Sequence, residues 1–240
     1  MLDVLFLYKC TYLCCSMSLI LNIETATKNC SVSLAESGKV IAIKELNDGN
    51  YSHAEKLHVF INEVLKVAKK SMKDIDAVAV SKGPGSFTGL RIGVSSAKGL
   101  CYALNIPLIS IDTLESLSCQ LVVEIGCIVP MLDARRMEVY SAVFDIKNNL
   151  IRAIEAQILN EDSFADYLKN NEVYFIGDGV PKTKEIITHK NAVFIDDKLP
   201  SANEMAQLSF DKFQKKIFED VAYFEPFYLK DFVVTPQKKK

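Results

Sequence analysis

The chain has 240 residues, 49% of them hydrophobic and 24% charged, and 28 basic against 30 acidic side chains leave a net charge of -2. This composition excludes a wholly disordered or fibrous chain. The lack of a global basic field argues against autonomous high-affinity binding to nucleic acid. The first sixteen residues, MLDVLFLYKCTYLCCS, are apolar and end just before Met17. They lack the basic start and A-x-A site of a signal peptide and are too short to span a bilayer as a helix. Two readings stand: an upstream start with Met17 as the true first residue, or a membrane-associating extension. No later stretch approaches 18 apolar residues, so the body is expected to be a cytoplasmic protein without a membrane span. The seven cysteines form no C-x-x-C pair, and their odd number points to reduced, buried thiols rather than a disulfide framework.

Leu19–Glu24, Asn29–Ala35 and Lys39–Glu45 read as three strands joined by turns at Thr25–Lys28 and Ser37-Gly38. Ser52-x-x-Glu55 has the form of a capping box. It opens a helix over 53–70 whose apolar stripe is Leu57, Phe60, Ile61, Val64, Leu65 and Ala68. Ala77–Ser81 is a strand, 87–104 a helix, Pro107–Ile111 a strand and 113–124 a helix. The order then recurs. Cys127–Met131, Met137–Asp145 and Leu150–Gln157 are strands and 161–170 a helix. Val173–Ile176 is a strand, 180–189 a helix, Ala192–Ile195 a strand and 201–218 a helix. Two βββαβαβα halves, at 17–112 and 113–222, resemble the α/β architecture of actin-like ATPases and sugar kinases (the ASKHA fold). A tail at 223–240, aromatic around Pro226, is expected to pack back.

The most informative stretch is SKGPGSFTGLR, residues 81–91. Gly83 and Gly85 permit backbone closed to other residues, and Ser86 can cap the helix that follows. Free N–H groups at that helix start suit an anion, so Gly83, Gly85 and Ser86 are a candidate anion loop or a structural turn. The spacing is neither G-x-G-x-x-G nor a P-loop. Gly89, Gly93 and Ala97 share one helix face, so something approaches that backbone closely: a strand of the same chain or a helix of another subunit. Gly177-Asp178-Gly179 is a second candidate phosphate turn. His53 and His58, five apart, do not share a face as i,i+4 residues do and are read as structural or surface histidines.

ILNIETAT, DAVAVSKGPGSFTGLRIGVSSAKGLCYALNIPLISIDTLESL, MLDARRMEVYSAVFD and FEPFYLKDF resemble the bacterial TsaB family, from Met17 to Phe232 and most specifically over 76–117. The resemblance implies an actin-fold, non-catalytic subunit of the machinery that makes threonylcarbamoyladenosine beside the tRNA anticodon. Its partners would be the catalytic paralogue TsaD and the ATPase TsaE, with tRNA reached only through the complex. No cofactor would bind the chain alone, and a nucleotide would sit at the interface in the complex. A homodimer would form when the chain is alone. The implied interface helices are 53–70 and 87–104, with Leu57, Ile61, Val64, Leu65, Phe87, Gly89, Leu90, Gly93, Val94 and Ala97 as contact residues. Asp133, Arg135 and Arg136 lie in a family motif and are candidates for a polar contact to TsaD, TsaE or tRNA, or form a charged hairpin turn. Thr113 and Leu117 stand where TsaD carries an H-x-x-x-H metal pair, and Lys28 where it carries an aspartate. The alternative from another class is a stand-alone actin-like small-molecule kinase or ATPase.

Overall fold

The computed structural model describes residues 17–47, 49 and 53–230. The first sixteen residues with Cys10, Cys14 and Cys15, the Ser52 half of the expected capping box, Phe232 and Lys238–Lys240 lie outside the described residues.

Strand β1 (Leu19–Glu24) is buried along its whole length because it is the middle of a sheet covered on both faces. It pairs antiparallel with β2 (Cys30–Glu36) and parallel with β4 (Ala77–Gly83). Adding β3 (Lys39–Leu46) and β5 (Leu108–Asp112) gives the order β3-β2-β1-β4-β5. The second sheet repeats it. Strands β6 (Cys127–Asp133), β7 (Glu138–Asp145), β8 (Leu150–Ile158), β9 (Val173–Ile176) and β10 (Ala192–Ile195) run in the order β8-β7-β6-β9-β10. Two β-meanders, each extended by two parallel crossovers in matching order, make this the actin-like ATPase/sugar-kinase fold.

Period-two alternation along β1 sends Leu19, Leu21 and Ile23 to one face, where they meet Leu57, Ile61, Val64 and Leu65 of helix α1 (His53–Ala68) and Val94, Ala97 and Cys101 of α2 (Phe87–Leu104). The other face carries Ile20, which packs with Ala79, Ile109 and Ile111 beneath Met205 of α6 (Met205–Gln214). Although 113–222 reads as a second lobe in the sequence, α6 therefore covers the first sheet. Conversely α3 (Thr113–Ser118) lays Leu114 and Leu117 on Ile128, Leu132 and Ile176 of the second sheet. Each lobe's last helix is thus packed into the layer between the sheets.

Five helices are shorter than expected, two of them (53–70 and 180–189) by only two or three residues at the end. Ala202 N–H donates to Ser31 Oγ and Ser33 Oγ–H donates to Ala202 O, which leaves 202–204 as a turn, so α6 starts only at Met205. The expected helix at 161–170 shrinks to α4 (Ala165–Leu168). Phe164 before it adopts φ 62° to place its ring against Phe175. Helix α3 ends at Ser118. Cys30, Cys101 and Cys127 are buried and Cys119 half-buried; all four are free, and burial pushes each thiol up to about 11, so they are inert. Among the described residues no helix is long and apolar enough to cross a membrane.

Candidate functional site

A cleft of about 310 Å³ opens between the lobes. One wall is the β1–β2 turn and the loop leading into α2; the other is the β6–β7 turn with Asp178. Residues 227–230 of the tail line its mouth. The cleft thus gathers Gly85, Ser86, Asp133 and Arg135, while Gly83 and Arg136 do not line it.

On the first wall the polar groups are already used. Gly83 has φ +113°, and a Cβ there would stand 2.8 Å from Phe227 O. Phe227 N–H donates to Lys82 O at 2.7 Å, stitching the tail to the end of β4. Ser86 N–H donates to Ala26 O at 2.6 Å, and Ser86 Oγ caps α2 by accepting from Gly89 N–H at 3.3 Å. A Cβ on Gly85 would stand 2.5 Å from Ala26 O. The loop at 83–86 is therefore shaped by the turn packed on it. Two donor-acceptor groups expected to face an anion are spent inside the chain.

The same turn explains the small-residue face. A Cβ on Gly89 would overlap Thr25 O, and one on Gly93 would overlap Thr25 Oγ1, whose hydroxyl donates to Gly89 O at 2.9 Å. The close neighbour of that face is this chain's own turn, not a second subunit. Of the ten residues expected to touch a partner, Leu57, Ile61, Val64, Leu65, Gly89, Leu90, Gly93, Val94 and Ala97 are buried in the chain's own core. Only Phe87 is part-exposed, its ring 5.0 Å from Tyr228. The expectation is corrected for a simple reason: an amphipathic stripe marks what a helix buries, and here it buries that stripe against its own sheet. Among the residues these helices present outward are His58, Val59 and Asn62 on α1 and Ser95, Gly99, Tyr102 and Ala103 on α2.

Glu24, at the end of β1, is fully buried. Its Oε1 accepts from Ala26 N–H at 2.6 Å, while Oε2 has no partner. Burial raises its pKa to about 7, against the lowering effect of the Ala26 bond. His53 anchors the turn from α1, its Nε2 2.7 Å from Thr27 O.

The second wall is differently built. Asp133 N–H donates to Asp178 Oδ1 at 2.8 Å, and Arg135 N–H to Asp133 Oδ1 at 2.7 Å. Lys182 of α5 (Val180–Ile186) turns into the hairpin, pairs with Asp133 and donates to Arg136 O and Glu138 O at 2.7 and 2.9 Å. Burial holds the Asp178 carboxyl above the usual range, opposed first by the Asp133 N–H bond and then by the Lys182 and Lys28 charges, while the Asp133 carboxylate adds to the rise. Gly177, at φ +117°, lets the chain pass against Met131 O, so the Gly177-Asp178-Gly179 turn is fitted to β6. Tyr140 and the tail residues Tyr228 and Lys230 also line the cleft, and sequence reasoning singled out neither Tyr140 nor Lys230. The aromatic tail was visible as a motif, but its place over the cleft was not.

Known proteins resemble this chain along most of its length. The family model "TsaD: tRNA N6-adenosine threonylcarbamoyltransferase" matches residues 48–239. The tRNA threonylcarbamoyladenosine biosynthesis protein TsaB of Escherichia coli K12 is 30% identical over 221 residues, 88% of this chain and 94% of that protein. The chain belongs to the TsaB family. Its role lies in tRNA threonylcarbamoyladenosine biosynthesis, a transferase system. The TsaB of Haemophilus influenzae is 28% identical over 226 residues, 88% of this chain and 93% of its own. YeaZ from Pseudomonas aeruginosa has the same fold, with a TM-score of 0.75 at 24% identity over 89% of this chain and all of that one.

Thr113 and Leu117, the two positions that the resemblance set against a metal pair, are both taken up by the chain's own packing. Thr113 Oγ1 is engaged with Ser81 Oγ at 2.6 Å, and Leu117 is fully buried in the second core with its Cδ2 beside Gly177.

Proposed function

We propose that this chain is the non-catalytic subunit that binds and organises the catalytic TsaD, with TsaE and tRNA joining the assembled complex. The observation that carries the reading is the state of Thr113 and Leu117, where a hydroxyl tied to Ser81 and a buried leucine occupy the metal-pair positions. The partner surface is the outward face of α1 and α2. There Ser95, Gly99 and Ala103, four residues apart, form a shallow stripe beside exposed Val59 and Tyr102. A Cβ on Gly99 would meet nothing of this chain, so that glycine is not required by the chain's own packing. Alone, the chain would self-associate through the same face, hold no cofactor and work in the cytoplasm; a nucleotide belongs to the interface in the complex.

Co-purification tests this. Gly99→Arg and Tyr102→Asp are expected to abolish TsaD capture and tRNA modification while the melting temperature stays within about 2 °C of the parent. Capture unchanged by both substitutions would sink the reading. Appreciable phosphate release from ATP by the chain alone would favour a stand-alone ATPase instead.

A further inference from the structure

The mouth of the cleft carries an imbalance of charge that the subunit role does not use. Its acids are each accounted for. Asp133 is paired with Lys182, Glu138 with Lys230, and Asp178 receives the Asp133 N–H. Arg135, Arg136 and Lys28 are exposed, and none of their charged ends makes a hydrogen bond or ion pair to a described residue. Two arginines without an ion pair to a described residue therefore stand on the β6–β7 hairpin, Arg135 lining the cleft, in a chain whose overall charge is -2.

The way the two arginines are presented is unusual. They are consecutive non-glycine residues with left-handed backbone, φ 66° and 51°, a region that L side chains disfavour. Lys182, bonded to Arg136 O, Glu138 O and Asp133, holds the hairpin in that form. Beside them Tyr140, Phe227 and Tyr228 line the cleft, the latter two exposed. Guanidinium groups next to accessible aromatic faces suit a phosphodiester chain with unstacked bases better than an acidic protein surface.

We infer that the Arg135-Arg136 hairpin grips the phosphate backbone of the tRNA that the complex modifies. This rests on the subunit reading above and adds an RNA contact made by this chain itself.

The test uses the complex of this chain with TsaD and TsaE and a 5′-labelled tRNA transcript titrated over a range of salt. Arg135→Glu with Arg136→Glu is expected to weaken tRNA binding at least tenfold near 0.1 M salt. It should flatten the slope of log K against log salt by about 1 to 2, the signature of one or two lost phosphate contacts. The double lysine variant should keep most of the affinity. Arg136→Gly removes a charge while suiting the left-handed backbone; it should weaken binding with a melting temperature equal to or above the parent's. Unchanged affinity and slope in the double glutamate variant, with TsaD still captured, would overturn the inference. So would loss of TsaE retention with tRNA affinity intact, which would make the hairpin a protein-docking surface. Should the parent chain fail to capture TsaD, the subunit reading falls, and the same titration on the chain alone still decides the RNA contact.

Discussion

The two lobes share one sheet order but differ in what surrounds it. The first carries long outer helices, 16 and 18 residues in α1 and α2, whereas the second has only four and seven in α4 and α5. The turns differ in the same sense. In the first lobe the β1–β2 turn is pressed into the glycine face of α2, and its oxygens are spent on Gly89, Ser86 and His53. In the second lobe the equivalent β6–β7 turn is tied from below by Lys182 and leaves the side chains of Arg135 and Arg136 exposed. Duplication preserved the scaffold, and the contrast in packing separated a closed, structural turn from an open, charged one.

The largest expected effect breaks the closed turn. Gly93→Leu would drive its Cβ into Thr25 Oγ1, so a loss of about 3 kcal/mol or more is expected from the urea midpoint, since the β-branched Thr25 side chain is fully buried and bonded to Gly89 O. A midpoint within 0.5 kcal/mol of the parent would show that the turn is not pinned there.

Glu24 sharpens the contrast by pH. Its folded pKa of about 7 lies above the unfolded 4.5, so the ionised form is opposed in the native state. Stability therefore falls as pH rises from about 4.5 to 7, and the full penalty, roughly 3 kcal/mol, is present above that. Glu24→Gln should keep the Ala26 bond and exceed the parent in stability at pH 8, with the advantage shrinking toward pH 4.5. A parallel pH profile for the two proteins would contradict the buried-carboxyl account.

In the second lobe, Lys182→Ala removes the ties that hold the hairpin. A loss of about 1 to 2 kcal/mol is expected, with faster amide exchange confined to 134–138. The smallest effect belongs to Gly99→Arg. It should leave stability within about 0.5 kcal/mol, because open space lies beyond that residue; a larger loss would mean that this face is part of the chain's own packing.

Much of the fold was legible because periodicity reports burial. The buried run LILNIE and the stripe Leu57, Ile61, Val64, Leu65 gave the strand and helix that the structure contains. Helix 201–218 was overextended because the bonds from Ser31 and Ser33 to Ala202 join residues about 170 positions apart, and no local pattern carries them. The interface was misassigned for a related reason. Composition along a helix identifies an apolar face but not whether a sheet of the same chain or another chain covers it.

The sequence by itself determined the duplicated order of elements, the glycine loop before α2 and the family. These depend on residue identity and local spacing. Only the tertiary structure decided that Thr25 fills the glycine face, that α3 packs on the second sheet and α6 on the first, that the tail reaches the cleft mouth, and that Arg135 and Arg136 have no ion pair to a described residue while Asp133 and Glu138 do. Each of these is a contact between residues distant in the chain. Which partner satisfies a charge or a cavity is set by where the folded backbone brings it.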